Sequence, residues 1–496
     1  MVGGPPDILL VVLDCVRADS FPGLDGGRIA APFLRSLLPR STLWTHAVSV
    51  APWTRPAHAS LFTGLYPWEH GCHTKGRATL APESGRLATE LGRTGYQTLC
   101  LSANPQISPE TGLAGGFERA AWAEWGERAR LRRTMTTPAH EAERIPLLTA
   151  SVPVPAGRSR LNYLRAVAQH RYLWASDVAR RTALSIRGEL RDPRADRLAP
   201  WVEATLDRYL KACAADRPVF AFVNLLDAHE PYFPSTAHDR ATRWWTVAGL
   251  PQDHFGFLSG RNPLDPYALK VLRREYERQI GVLDARVQEL VETWSRRRGE
   301  GTLSLIVTSD HGQAFGEHGA VFHSLSPDEP HLRIPLLMSR PGEPPGPPLR
   351  DERVSLLDVH ATVRAMAGLP GSPSANGRPL LDERIPERVV LAASDGLPSG
   401  FPFDSFVSAA QRAALDRVWG VAYEGRWKVW VDAATGRERV FDLLEDPTED
   451  RDRGPEEQGP SERTRGLARA VARGMVQPPS DGGQVLGRLA AWGYYQ

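Results

Sequence analysis

Three stretches of this chain are apolar almost without interruption, and each runs into an aspartate: DILLVVLD at Asp14, PVFAFVNLLD at Asp227 and TLSLIVTSD at Asp310. A strand with one wet face alternates polar and apolar side chains, so runs like these predict strands covered on both faces. YQTLCLSANP is a weaker fourth example. Between the runs lie segments with helical spacing. The plainest is Tyr267 to Arg298, where apolar residues recur three and four apart and mixed charges fill the other face. Strands alternating with helices predict an α/β fold, a large mixed, mostly parallel sheet flanked by helices. Such sheets bind ligands beyond the carboxyl ends of their strands. Asp14, Asp227 and Asp310 each stand at such an end.

A length of 496 residues exceeds what one hydrophobic core ordinarily supports, so a second unit is expected. The first, catalytic unit is read as residues 1–370, closing on the helix in RVSLLDVHATVRAMAGL. The Pro/Gly-rich PGSPSANGRP follows. Residues 371–496 then form a small C-terminal α+β unit, in which VVLAASDG, GVAYEGRWKVWVDAATG and RERVFDLLEDP predict an antiparallel sheet. A helix is expected from about Val485 to Trp492. The Arg-rich span from Arg119 to Pro200, broken by TASVPVPAGRSR, reads as a largely helical insertion, with VARRTALSIRGEL among its helical pieces.

The charge balance excludes some functions. Lys and Arg number 60 against 58 Asp and Glu, which gives no general case for nucleic-acid binding. The first apolar run is about seven residues long and suits a buried strand, far short of the roughly 20 residues of a membrane span. Cys15, Cys72, Cys100 and Cys213 form no CxxC pair, so neither a disulfide scaffold nor a structural zinc site is expected. Reduced thiols and the absence of a leader-like pattern predict a cytoplasmic protein without a membrane span. Nothing in the sequence fixes the oligomeric state.

Three segments carry chemistry. LDCVRAD offers Asp14, TSDHGQAFGEHG offers Asp310 and His311, and VAPWTRPAHASLFTGLYPWEHG places Thr54 just ahead of a helix start. An acid from one strand end and an Asp-His pair from another can build a metal site with open positions. A metal on the Thr54 hydroxyl would lower its pKa and make it a usable nucleophile. The following helix would turn its free N–H groups toward an anion. Each residue also has an ordinary use: strand-end aspartates form turns or cap helices, and Thr54 by itself suits an N-cap.

The ordered set of segments resembles the sulfatase branch of the alkaline phosphatase superfamily, from residue 7 to about 450. LDCVRAD resembles its first metal-binding segment. TRPAHASLFTGLYPWEHG resembles its nucleophile signature, NLLDAHEPY the segment with a substrate-contacting His, and SDHGQAFGEHG the second metal segment. The resemblance implies metal ligation by Asp14, Asp310 and His311, with Thr54 at the nucleophile position and also on the metal. It implies that His229 and His323 contact the anion or protonate the leaving group, with His58 and Asn104 among the substrate-binding positions. Where relatives have a Cys or Ser that is oxidised to formylglycine, this chain has Thr54, which cannot be converted. His58 and Ala57 replace the signature's Arg and Ser, and Cys15 stands where many relatives have a second ligand Asp.

The expected activity is therefore metal-dependent hydrolysis of a small anionic ester through Thr54, without formylglycine. Phosphodiester or phosphonate ester cleavage is preferred, because an unmodified threonine suits phosphoryl transfer. The alternatives are a sulfuric ester hydrolase lacking formylglycine and a non-catalytic anion-binding member. One divalent ion is expected; the imidazole of His311 favours Mn2+ or Zn2+, with Mg2+ and Ca2+ left open. A second ion on Asp227, His229 and His323 is conceivable. His70 and His318 read as structural, and Arg17 and Arg55 as secondary.

Overall fold

The computed structural model describes residues 4–125, 142–147, 198–232, 265–397 and 412–476, less a few short loops and single positions inside those spans. In chain order the strands of the first part are β1 (Asp7–Leu13), β2 (Thr42–Val48), β3 (Gln97–Ser102), β4 (Arg119–Trp125), β5 (Ala142–Leu147), β6 (Val219–Leu225), β7 (Leu303–Thr308), β8 (Ala314–Phe315), β9 (Val321–Phe322), β10 (Arg333–Ser339) and β11 (Leu349–Ser355). Among the described residues, nine of them form one sheet in the order β11-β2-β10-β7-β1-β6-β3-β4-β5, while β8 and β9 make a two-stranded ribbon. β10 pairs antiparallel with both β7 and β2, and every other pairing in the large sheet is parallel.

β1 shows why its run is apolar throughout. Leu9, Val11 and Leu13 enter one core, against Leu206 and Tyr209 of the helix Leu198–Lys211 and Leu272, Ile280 and Leu283 of the helix Pro266–Arg298. Ile8, Leu10 and Val12 enter the core on the other face, with Ala57 and Leu61 of the helix Thr54–Thr63 and Val359 and Val363 of the helix Leu356–Met366. Helices on both faces leave no wet side, so period-2 alternation disappears. The long helix begins where Asp265 accepts hydrogen bonds from the N–H groups of Tyr267 and Ala268, at 3.2 and 3.3 Å.

The span from Arg119 to Pro200 differs from the helical insertion expected. Its first described residues are strands: β4 and β5 extend the sheet, with Leu99 opposite Arg119 and Ala120 opposite Ala142. Ala121 and Ala123 of β4 join one core while Ala120 packs toward the other, so this short-side-chain segment is pleated between two helical layers. Residues 126–141 and 148–197, with the expected helix at 178–190, lie outside the described residues.

The second sheet is antiparallel as expected, in the order β12 (Val390–Asp395), β13 (Val418–Glu424), β14 (Trp427–Asp432), β15 (Glu438–Asp442). The helix Glu462–Val476 lies on it. Gly420 of β13 is where they meet, since a methyl there would collide with the carbonyl oxygen of Ala468 and the nitrogen of Ala472. The helix expected near residues 485–492 is outside the described residues. No described helix is long and apolar enough to cross a membrane, and all four cysteines are free.

Candidate active site

Strand register assembles the site. β1 pairs Val12 with Thr308 of β7 and with Asn224 of β6, and β6 pairs Asn224 with Ser102 of β3. Two residues further on, Asp14, Asp310 and Asn104 therefore leave the sheet at one level. Ser309 secures the ends of β1 and β7: its Oγ lies 2.6 Å from the carbonyl oxygens of Leu13 and His311 and accepts from the Val16 N–H at 3.0 Å. Asn104 donates from Nδ2 to Asp14 Oδ2 at 2.8 Å, and Asn224 does so at 3.3 Å.

Thr54 is the first residue of its helix and not the cap, a position held by Trp53. Its buried hydroxyl faces the strand ends, 3.4 Å from Nε2 of His311 and 3.5 Å from Nδ2 of Asn104. One turn on, Nδ1 of His58 lies 2.9 Å from the Thr54 carbonyl oxygen and 3.5 Å from Oδ2 of Asp310. Pro56 fits this first turn because its missing N–H has no intrahelical partner there.

A third group closes the site. The rings of His229 and His323 are 4.8 Å apart, and His323 stacks on His311 at the same separation. Oε2 of Glu230 lies 3.5 Å from His229 Nδ1 and 3.6 Å from His323 Nδ1. The Cys15 thiol is 3.8 Å from His323 Nδ1 and 3.3 Å from Asp14 Oδ1. Cys15 takes a left-handed φ of 64°, and Phe322, just before His323, one of 65°. Each such residue costs of order 1–3 kcal/mol and persists only where surrounding contacts impose it. At Cys15 these are its N–H on Asp310 Oδ1 at 3.3 Å and the Tyr276 hydroxyl donating to its carbonyl at 3.1 Å.

Asp227 does not join the site; it pairs with Arg286 of the long helix at 2.7 Å, and Glu230 stands by the histidines instead. Glu230, Cys15 and Asn224 are the members that sequence reasoning missed as contributors. For Cys15 the signal was its place after Asp14, where the resemblance puts a second ligand Asp, and for Glu230 it was adjacency to His229. His70 bonds Ser60 Oγ at 3.0 Å, and His318 pairs with Asp328 at 3.2 Å. Arg17 is tied to Asp19 and Glu317, each at 2.6 Å. Arg55 lies over the Trp53 ring and donates to Gln106 at 3.1 Å.

The electrostatics are those of a site short of positive charge. Burial alone would raise the Asp14 carboxyl, but the imidazoles of His229 and His311 and the Asn104 amide hold it below the usual carboxylate range. Burial and the Asp14 charge push Asp310 well above that range. Burial, aided by His323, drives His311 well below the usual imidazole range. Among the described residues no Lys or Arg pairs with Asp14 or Asp310. Oδ2 of Asp310 is buried without a hydrogen-bond partner, 3.3 Å from His311 Nε2. Two buried carboxyls, one held low and the other pushed up beside it, an imidazole with a lowered proton affinity and an unpartnered carboxyl oxygen are the donor set that a divalent cation satisfies. Asp14, Cys15 and His311 place one ligand atom each within 4.8 Å of one another.

The Sulfatase family model matches residues 6–369, nearly three quarters of the sequence. The chain belongs to the sulfatase family. Choline-sulfatase of Rhizobium meliloti (strain 1021) is 24% identical over 488 residues, covering 92% of this chain and 85% of that protein. Among solved structures, the phosphonate monoester hydrolase from Silicibacter pomeroyi superposes with a TM-score of 0.61 at 17% identity, covering 88% of this chain and 89% of that one. Its counterpart from Agrobacterium radiobacter gives a TM-score of 0.59 at 18% identity, with 90% and 91% covered. These likenesses show the sulfatase fold across both sheets, and family membership supports ester hydrolysis as the reaction class.

Proposed function

We propose that this protein hydrolyses a phosphodiester or phosphonate ester through Thr54. The observation that carries the reading is the placement of the Thr54 hydroxyl, buried at a helix start and turned onto His311 and Asn104. Threonine cannot become formylglycine, whereas its oxygen is chemically suited to attack phosphorus directly. The phosphonate monoester hydrolases with this fold support the substrate class.

Asp14, Asp310 and His311 would hold a divalent cation together with Thr54; bound there, it would neutralise the carboxylates and make the hydroxyl a better nucleophile. Asn104 orients Asp14 through its amide, and His58 fixes the first helical turn by its contact with the Thr54 carbonyl. The N–H groups of that turn face the anion. In the first step the Thr54 hydroxyl gives up its proton to water while its oxygen bonds to phosphorus and the bond to the leaving oxygen breaks. The alkoxide departs with the electron pair on the side walled by His229 and His323 and is protonated from water. Water then attacks the phosphothreonine, restoring the Thr54 hydroxyl and releasing the second product.

A second reading, sulfate ester cleavage by the same unmodified threonine, is favoured by the likeness to choline-sulfatase. Matched p-nitrophenyl esters (phosphate monoester, phosphate diester, phenylphosphonate and sulfate) separate the two, using protein stripped of metal and reloaded with Mn2+, Zn2+, Mg2+ or Ca2+. Metal-dependent turnover of the diester or phosphonate, lost in Thr54→Ala, is expected. Preference for the sulfate would select the second reading, and full turnover by Thr54→Ala would overturn both.

A further inference from the structure

Beside Asp14 and His311 four side chains bring their donor atoms together. Cys15, His229, Glu230 and His323 come from three separate segments, the turn after β1, the turn after β6 and the residue after β9. Each nevertheless brings one donor atom within 4.8 Å of the other three. The separations are 3.6 Å from His323 Nδ1 to Glu230 Oε2 and 3.8 Å from His323 Nδ1 to the Cys15 thiol. Ligands around a tetrahedral ion with bonds of about 2.0–2.3 Å stand about 3.3–3.8 Å apart, so the cluster already has the span of such a shell. The chemistry agrees, since one thiol, two imidazoles and one carboxylate suit a borderline ion and not a hard one such as Ca2+.

Two further features support a built site. Nδ1 of His229 lies 2.6 Å from the carbonyl oxygen of Glu230. An outer hydrogen bond of that kind fixes the tautomer of a ligating imidazole and leaves Nε2 as its donor atom. The left-handed backbone at Cys15 and at Phe322 sets the direction of two of the four ligands, Cys15 and His323. Strained backbone on both sides of one cluster is a known mark of functional placement.

We infer that Cys15, His229, Glu230 and His323 form a second cation site, selective for Zn2+ or a similar transition ion, adjoining the one built on Asp14, Asp310 and His311. Cys15 stands between the two, with its thiol against Asp14 on one side and His323 on the other. The geometry alone carries the site; its role, to meet the leaving oxygen where His229 and His323 wall the pocket, rests on the function proposed above. Sequence alone pointed to Asp227 for such an ion, but Arg286 occupies that carboxylate.

The test uses the full chain stripped of metal and reloaded with Zn2+ or Co2+, with metal content and absorption as readouts independent of turnover. Two equivalents per chain are expected for the wild type, falling to one in Cys15→Ser and in His323→Asn. With Co2+, a thiolate-to-metal charge-transfer band is expected in the near ultraviolet. It should vanish in Cys15→Ser and persist in Cys213→Ser and in Asp310→Asn, which empties the other site. A single equivalent that Cys15→Ser leaves unchanged, or the absence of a Cys15-dependent band, would overturn the inference. Loss of the ester reading in the p-nitrophenyl assay would leave the metal counts and the band as they are, so the two failures are distinguishable.

Discussion

Lys428 offers a quantitative test of how the small sheet is fixed to the loop that carries the site. Its ammonium is fully buried, 2.9 Å from Oε1 of Glu329 and 2.8 Å from Oε1 of Glu449. Glu329 opens the short helix Glu329–Leu332, and the same segment holds Asp328 and His331, whose Nε2 lies 2.9 Å from the carbonyl oxygen of Phe322 beside His323. Burial works against the Glu329 charge, but Lys428 and Arg353 draw that carboxyl down to about 2. Burial raises Glu449 to about 7 despite Lys428, because Glu329 and Asp328 are close. Replacing Lys428 by Met keeps the stem and deletes the charge. Breaking a buried pair in this way costs about 3–5 kcal/mol. The low end applies here, because Arg353 and the Tyr423 hydroxyl, 2.9 Å from Glu329 Oε1, remain, and Glu449 can take a proton. The cost should be greatest near pH 8, where both carboxyls are ionised, and should shrink toward pH 5 as the unpaired acid protonates. Urea unfolding followed by tryptophan fluorescence reads it, and Lys428→Met combined with Glu329→Gln should recover part of the loss. A loss below about 1 kcal/mol at pH 8, or one independent of pH, would refute the reasoning.

Asn104→Ala removes a hydrogen bond to the Asp14 carboxylate, worth about 1.5–3 kcal/mol, so the metal affinity of the adjoining site should fall roughly 10- to 150-fold in a titration of stripped protein. His360 is buried and neutral, its pKa drawn down to about 4 by burial even though its Nδ1 lies 3.1 Å from the Leu61 carbonyl oxygen. The folded state therefore binds that proton less readily than the unfolded chain. Stability should drop by about 1.4 kcal/mol per pH unit from about pH 6.5 down to about pH 4, and His360→Gln should flatten this part of the melting-temperature profile. Gly420→Ala should destabilise by about 1–3 kcal/mol in the same urea assay, since backbone atoms of Ala468 and Ala472 cannot give way.

What could be read in advance followed from how fully each element is buried. β1, β6 and β7 announce themselves because both of their faces are covered, and the Asp14 and Asp310 positions come with them. β11, with the charged sequence LRDERVS, is an edge strand. Its alternating exposure and its Arg, Asp and Glu residues disguise it as loop. β4 reads as helix because RAAWAEW has helix-forming alanines, and only its pairing with β3 makes it strand. In DAHEPY the chain presents two acids, and composition cannot tell which one reaches the histidines. Arg286, 59 residues away on the long helix, decides it by taking Asp227. Thr54 was legible as a position but not as an orientation: whether it caps the helix or begins it depends on where Trp53 leaves the extended region.

The central claim is that Thr54 carries the reacting group. The most direct measurement is an acid quench during turnover of bis(p-nitrophenyl) phosphate, followed by mass analysis of the peptide containing Thr54. The account predicts a phosphoryl adduct on Thr54 that forms only with divalent metal present and is missing in Thr54→Ala, which should also lose turnover. Turnover that continues in Thr54→Ala with no adduct at any stage would contradict it.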